Sequence, residues 1–209
     1  MIKLKKVVAL ILVAVLCFSF AACGKDTPKT NLKETVSTDI VDFTLENCEL
    51  AHYVSNVSTN YVEATEKPNT MFAAKVGTCF VSMTVTITNK DRGGSIDFAG
   101  GFSNWDPASW EVKYNGQTYD MYGFNLNTDN YDSVNLSFAA FVDKDTNKVI
   151  SRISSNNTLI DAGETVTIRM FGIIHVDPTS LNDAFDLEVS VPNSAGDYET
   201  FVYTIPAKA

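Results

Sequence analysis

The chain has 209 residues, 45 % of them hydrophobic, and carries 16 basic against 25 acidic side chains, for a net charge of −9. That balance excludes a nucleic-acid partner, since a polyanion needs a basic footprint and the lysines and arginines here are scattered singly. Thirteen Phe and eight Tyr in so apolar a chain exclude general disorder.

Taken in chain order, the first segment is an address. Lys3, Lys5 and Lys6 precede an uncharged run from Val7 to Ala22, and these 16 residues fall short of the ~20 that cross a hydrocarbon core as a helix. A charged start, an apolar middle and small residues before a cut describe a secretory signal peptide over residues 1–22. Ala21-Ala22-Cys23 resembles the lipobox of bacterial lipoproteins, with Phe20 in place of the usual Leu. The resemblance implies that Cys23 is alkylated with diacylglycerol through its thiolate, the nucleophile such a thioether needs, before cleavage in front of it. The other reading is an ordinary signal peptide and a freely secreted chain. Removing residues 1–22 takes away three lysines and no acid, leaving 13 basic against 25 acidic side chains, a net of −12. Anionic headgroups then repel the domain, so the lipid, palmitate or a similar acyl chain, has to do the anchoring to the cell membrane.

Residues 23–38 read as the lipidated terminus and a flexible tether, because Gly24 to Thr38 is polar without apolar periodicity; 15 residues of coil span ~20 Å. Residues 39–209 read as one domain. From Ile40 onward apolar residues recur with period two, the pattern of half-buried strands. Cys79, Val81, Met83, Val85 and Ile87 share one face, with Phe80, Ser82, Thr84, Thr86 and Thr88 on the other. Trp110 to Tyr114, Thr118 to Tyr122, Phe138 to Val142, Val149 to Ile153, Val166 to Met170, Phe185 to Val191 and Tyr198 to Ile205 continue the series. Asn115-Gly116 is a strong hairpin signal, and Lys144 to Lys148 and Asn193 to Asp197 supply further turns. Asp177-Pro178 suggests one helical turn. The expected fold is all-β, an antiparallel sandwich of about eight strands.

Thr84 to Asn89 (TVTITN), Tyr114 to Tyr119 (YNGQTY) and Ala162 to Ile168 (AGETVTI), in that order, resemble the immunoglobulin-like extracellular domains of unknown function found in Gram-positive lipoproteins, sometimes described as immunoprotective-extracellular-like. The resemblance covers roughly residues 40 to 205, implies an immunoglobulin-like sandwich, and carries no catalytic or ligand residues to transfer. The insert from Gly93 to Asp106 departs from that pattern.

Chemistry is sparse. Cys48 and Cys79 remain once Cys17 leaves with the signal and Cys23 takes lipid. In an exported setting they form either a candidate disulfide, worth roughly 3 to 4 kcal/mol for a closed loop of ~31 residues, or two buried thiols. His52 and His175 lack metal-ligand spacing, and Cys79, on an apolar strand face, makes a poor nucleophile beside His175. GxSxG, SxxK, HExxH and phosphate loops are absent from the sequence, so no catalytic residue, metal or cofactor is expected. Asp143-Lys144-Asp145-Thr146-Asn147 starts like a calcium loop, but Lys148 stands where Gly is needed and Ser154 where Glu is needed. Asp129 and Asp132 form a second acidic loop. Trp105 and Trp110, with Tyr114, Tyr119 and Tyr122 near them, are the candidate ligand-binding aromatics, against the alternative that Trp110 and Tyr114 face the core. The expected role is binding to an envelope or host protein from a lipid anchor outside the membrane. A carbohydrate-binding module using those aromatics and a hydrolase with an unrecognised site are the other readings.

Overall fold

The computed structural model describes residues 27, 29–55, 71–74, 76–98, 105, 110–121, 139–153 and 158–208. Those residues are all strand and turn. In chain order the strands are β1 (Lys29–Asn31), β2 (Thr35–Ser37), β3 (Val41–Ala51), β4 (Tyr53–Ser55), β5 (Met71–Ala73), β6 (Cys79–Asn89), β7 (Ile96–Asp97), β8 (Glu111–Tyr114), β9 (Gln117–Asp120), β10 (Ala139–Val142), β11 (Val149–Arg152), β12 (Leu159–Ile160), β13 (Thr165–Ile174), β14 (Phe185–Pro192) and β15 (Tyr198–Ile205). Six of the fifteen have only two or three residues, which is why the sequence pattern shows fewer.

A six-stranded sheet in the order β11-β10-β13-β6-β3-β2 packs on a five-stranded sheet in the order β1-β15-β14-β8-β9; the pairs β7–β12 and β4–β5 stand apart. Every pairing between these strands is antiparallel except β1 beside β15. The alternation expected for β6 is present: Cys79, Val81, Met83, Val85 and Ile87 are buried between the sheets, paired across to β3 and β13. The same rule buries Phe185, Leu187, Val189 and Val191 of β14. Asn115 and Gly116 turn with φ of 50° and 76°, the left-handed pair of a type I′ hairpin that Asn-Gly favours.

An aromatic cluster fills the centre. Phe43 of β3 meets Trp110 edge-on at 5.6 Å, Tyr203 at 6.0 Å and Trp105 at 6.0 Å, while Phe98 meets Trp105 at 4.9 Å. Such tilted pairs place a positive ring edge on a negative ring face. Tyr203 stays buried because its hydroxyl donates to the carbonyls of Glu34 and Phe43, at 3.0 and 3.1 Å.

Asn89 is the principal buried polar residue where the sheets close at one end. Its Nδ2 donates to the carbonyls of Gly94 and Ile160, both at 2.9 Å, and its Oδ1 accepts from the Asp91 amide at 2.8 Å. Its own amide donates to the Glu164 carbonyl, and its carbonyl accepts from Gly163. One side chain thereby ties the end of β6 to the chain before β7 and to the end of β12.

Three expectations change. The polar stretch 24–38 is not all tether: β1 and β2 belong to the two sheets, held by main-chain pairing that needs no apolar periodicity. Phe80, placed on the solvent side by alternation, is buried in a second apolar cluster with Val54, Ala140, Phe171 and Ile173 on the outer face of the six-stranded sheet. The segment around Asp177-Pro178 makes no helical turn; instead Asp183 accepts from the Tyr114 hydroxyl at 2.6 Å and from Thr179 at 3.0 Å, latching the loop to β8.

Candidate functional site

The sequence candidates scatter once they are placed. Cys23, Asp129, Asp132 and Tyr122 lie outside the described residues. Cys48 and Cys79 are free thiols, both buried. On the shared register Cys48 faces Met83, four residues along β6 from Cys79, so the two Cα atoms stand about 13 Å apart along the strands, beyond the ~7 Å limit for a disulfide. The bridge is therefore not formed. Burial pushes the Cys48 thiol well above its ordinary range and that of Cys79 up to about 11, and Cys79 Sγ donates to the Ala51 carbonyl at 3.4 Å. Neither is poised as a nucleophile.

Trp105 and Trp110 present no aromatic platform, since each is only 1 % exposed. Trp110 takes the core position that strand alternation allows. Trp105, expected at the surface from its Gly/Asn/Asp/Pro surroundings, turns inward because its indole finds both ring neighbours and a carbonyl: Nε1 donates to Ser190 at 2.6 Å. Asp143 caps its own hairpin, accepting from the Thr146 amide at 2.8 Å and hydroxyl at 2.7 Å, which spends its oxygen on the turn. His52 is half-buried and His175 exposed, at the far end of the sandwich from Asn89. Among the described residues no group of three or more His, Cys, Asp or Glu side chains is placed to hold a metal.

Two grooves remain. One, of about 480 Å³, lies along the β10–β11 edge and is bordered by Phe141, Lys144, Ile150, Leu159, Glu164 and Thr167. Ile150 and Leu159 are 69 % and 57 % exposed, so its rim is apolar. The other, of about 390 Å³, opens at the end of the sandwich where Asn89 closes the sheets, and its walls come from four places in the chain. Ile40 precedes β3; Asp91, Ser95, Ile96 and Asp97 lead into and form β7; Trp105 supplies the floor; Pro192, Asn193, Gly196 and Tyr198 come from the β14–β15 hairpin.

That end groove is built by identifiable contacts. Thr38 joins the sheets, its hydroxyl donating to the Pro192 carbonyl at 2.7 Å and accepting from the Val41 amide at 3.1 Å. Asp39 accepts from the Ser194 amide at 3.0 Å and from its hydroxyl, and these bonds hold its carboxyl below the usual range. Asp91 accepts from Gly93 at 2.9 Å, and Ser95 donates to Asp161 at 2.9 Å. Asp97 differs. Its Oδ1 is buried and has no hydrogen-bond partner. Lys90 Nζ lies 2.6 Å from Asp42 and 2.7 Å from the Thr38 carbonyl. Neither Asp91 nor Asp97 is in any of the five ion pairs between described residues.

The end groove thus combines apolar walls, an aromatic floor and carboxylates that are in no ion pair between described residues. The sequence points to part of it, because Ile96, Asp97 and Trp105 sit in the Gly93–Asp106 insert. Tyr198 and Pro192 join only through the hairpin that returns β15 to this end.

No protein-family model matches the chain, and no curated protein does. Among solved structures it is similar to an uncharacterized β-sandwich protein from Clostridium difficile 630, with a TM-score of 0.53 at 17 % sequence identity, over 88 % of this chain and 97 % of that one. At that identity the likeness concerns the fold: both are β-sandwiches.

Proposed function

We propose that this chain is a lipid-anchored, immunoglobulin-like binding module on the outer face of a bacterial membrane, holding a protein partner of the envelope or of a host. The observation that carries the binding reading is the end groove, a concave surface bordered by Asp91 and Asp97, neither of which is in an ion pair between described residues. The anchor rests on the sequence: Lys3, Lys5 and Lys6, the apolar run to Ala22, and Cys23. Cys23 precedes β1 by six residues, at most ~21 Å of chain, so the domain is held close to the lipid surface. Because β1 runs parallel to β15, its first residue, Lys29, lies on the side of β1 toward the end that carries Tyr198 and the groove.

The glycan reading loses its named platform, as Trp105 and Trp110 are core residues. Two measurements on the full chain test the proposal. Labelled fatty acid is expected to enter the wild type and not Cys23→Ala; equal labelling of both would refute the anchor. Titration with purified wall polysaccharides and mucin glycans is expected to show no saturable binding, and saturable binding would replace the protein-partner reading with a glycan module.

A further inference from the structure

We infer that the end groove accepts a cationic side chain, a lysine or arginine on an extended segment of the partner protein, seated against Asp97 with its aliphatic stem between Ile40, Ile96 and Tyr198. The inference deepens the binding-module reading and rests on it. Two observations converge. First, the groove's shape and lining suit such a side chain: about 390 Å³ walled by Ile40, Ile96, Pro192, Trp105 and Tyr198. Lysine and arginine bury their methylene stems on apolar surface while keeping the charged head polar. Second, the charge is complementary. Asp91 and Asp97 line the groove, and Asp39 and Asp161 stand on its neighbours Ser194 and Ser95. Lys90, beside Asp91 in the chain, is committed to Asp42. An ammonium or guanidinium is all donors, and a hydrogen bond between ionised groups is about twice as strong as a neutral one. An anionic segment would meet like charge.

Two features narrow the ligand further. The face of an exposed aromatic ring attracts a cation that has shed its water, and Tyr198, 44 % exposed, stands in the groove wall. The β14–β15 hairpin that carries Asn193 to Asp197 is rigidly capped, Asn193 Oδ1 accepting from the amides of Ala195 and Asp197 at 3.1 Å each. A preformed wall of this kind binds without an ordering penalty in the hairpin.

The test is isothermal titration of the full chain in detergent micelles with two eight-residue peptides, one alternating Thr and Lys, the other alternating Thr and Glu. Wild type, Asp97→Asn and Asp120→Asn are compared, the last removing an equal charge from exposed β9, the edge strand of the five-stranded sheet. Saturable binding of the Lys peptide alone is expected, weakened about tenfold by Asp97→Asn and less than about twofold by Asp120→Asn. Melting curves check that both variants are folded. Equal weakening by the two variants would place binding in bulk charge and overturn the groove assignment while leaving a binding module. No binding of the Lys peptide, or equal binding of the Glu peptide, overturns the cationic ligand outright.

Discussion

Replacing Asn89 tests the account of how the sandwich is closed at its groove end. Asn89→Ala removes an amide that gives two hydrogen bonds and receives one, and it strands the carbonyls of Gly94 and Ile160 and the amide of Asp91. Each buried group left unpaired is unfavourable by about 1–3 kcal/mol, and partial access to water at the Gly94 and Asp91 positions puts these two at the low end. The expected loss is about 3–5 kcal/mol, a large share of the 5–15 kcal/mol by which a domain is typically stable. Urea unfolding followed by Trp fluorescence reads this directly, since Trp105 and Trp110 leave the core together on unfolding. At an m-value of about 1–3 kcal/mol/M the midpoint falls by at least about 1 M with m unchanged. Asn89→Asp sharpens the test by aiming a carboxylate at two carbonyls, so its carboxyl titrates above the ordinary ~3.9 in the folded state. The sign follows: this variant is most stable below that ordinary value, where the acid is protonated and can donate, and it weakens as pH rises through the raised folded value. A midpoint for Asn89→Ala within about 1 kcal/mol of wild type, or an Asn89→Asp variant indifferent to pH, would show that the side chain does not hold this end closed.

Further outcomes follow from single contacts. A methyl group at Gly172 would fall inside the Met121 side chain, so Gly172→Ala is expected to lose about 1–3 kcal/mol in the same urea assay, largely restored by pairing it with Met121→Ala. A thiol reagent should leave Cys48 and Cys79 unmodified in the native protein and titrate both in denaturant without reductant; fewer than two thiols would contradict the free cysteines. Asp183 is held below its usual range, first by the Tyr114 hydroxyl and then by Thr179. Its contribution to stability is present above the ordinary ~3.9 and lost as pH falls through the lowered value, so Tyr114→Phe should flatten the acid limb of the stability curve. An unchanged acid limb in that variant removes the latch from the account.

The strands that repeat with period two were legible because one set of side chains must leave water: β6, β13, β14 and β15 follow from Val81 to Ile87, Val166 to Met170, Phe185 to Val191 and Phe201 to Ile205. Asn115-Gly116 was legible because few residue pairs accept positive φ twice in succession. β1 and β2 were not, because their stability comes from main-chain pairing with β15 and β3 and leaves no mark on hydrophobicity. Phe80 misled because alternation assigns faces but does not say that the outer face carries its own apolar cluster. Trp105 misled for the complementary reason: polar neighbours in sequence say nothing of a carbonyl at Ser190, 85 residues away, that satisfies the indole. The groove residue Asp97 carries no local signature, since what distinguishes it is the partner it lacks in three dimensions.

The three-residue strand β1 also bears on mechanics. A pull from the N-terminus loads β1 along its length toward the groove end, so its bonds to β15 resist in shear instead of opening one at a time. Behind it, the Tyr203 hydroxyl grips the Glu34 carbonyl, and the Glu34 carboxylate accepts from Asn31 and Thr30. Releasing residues 29–37 would lengthen the leash by nine residues, about 30 Å of extended chain. The reach of the groove from the N-terminus is then a two-position property set by this short clasp, and single-molecule pulling from the N-terminus should show it as a discrete extension before the sandwich unfolds.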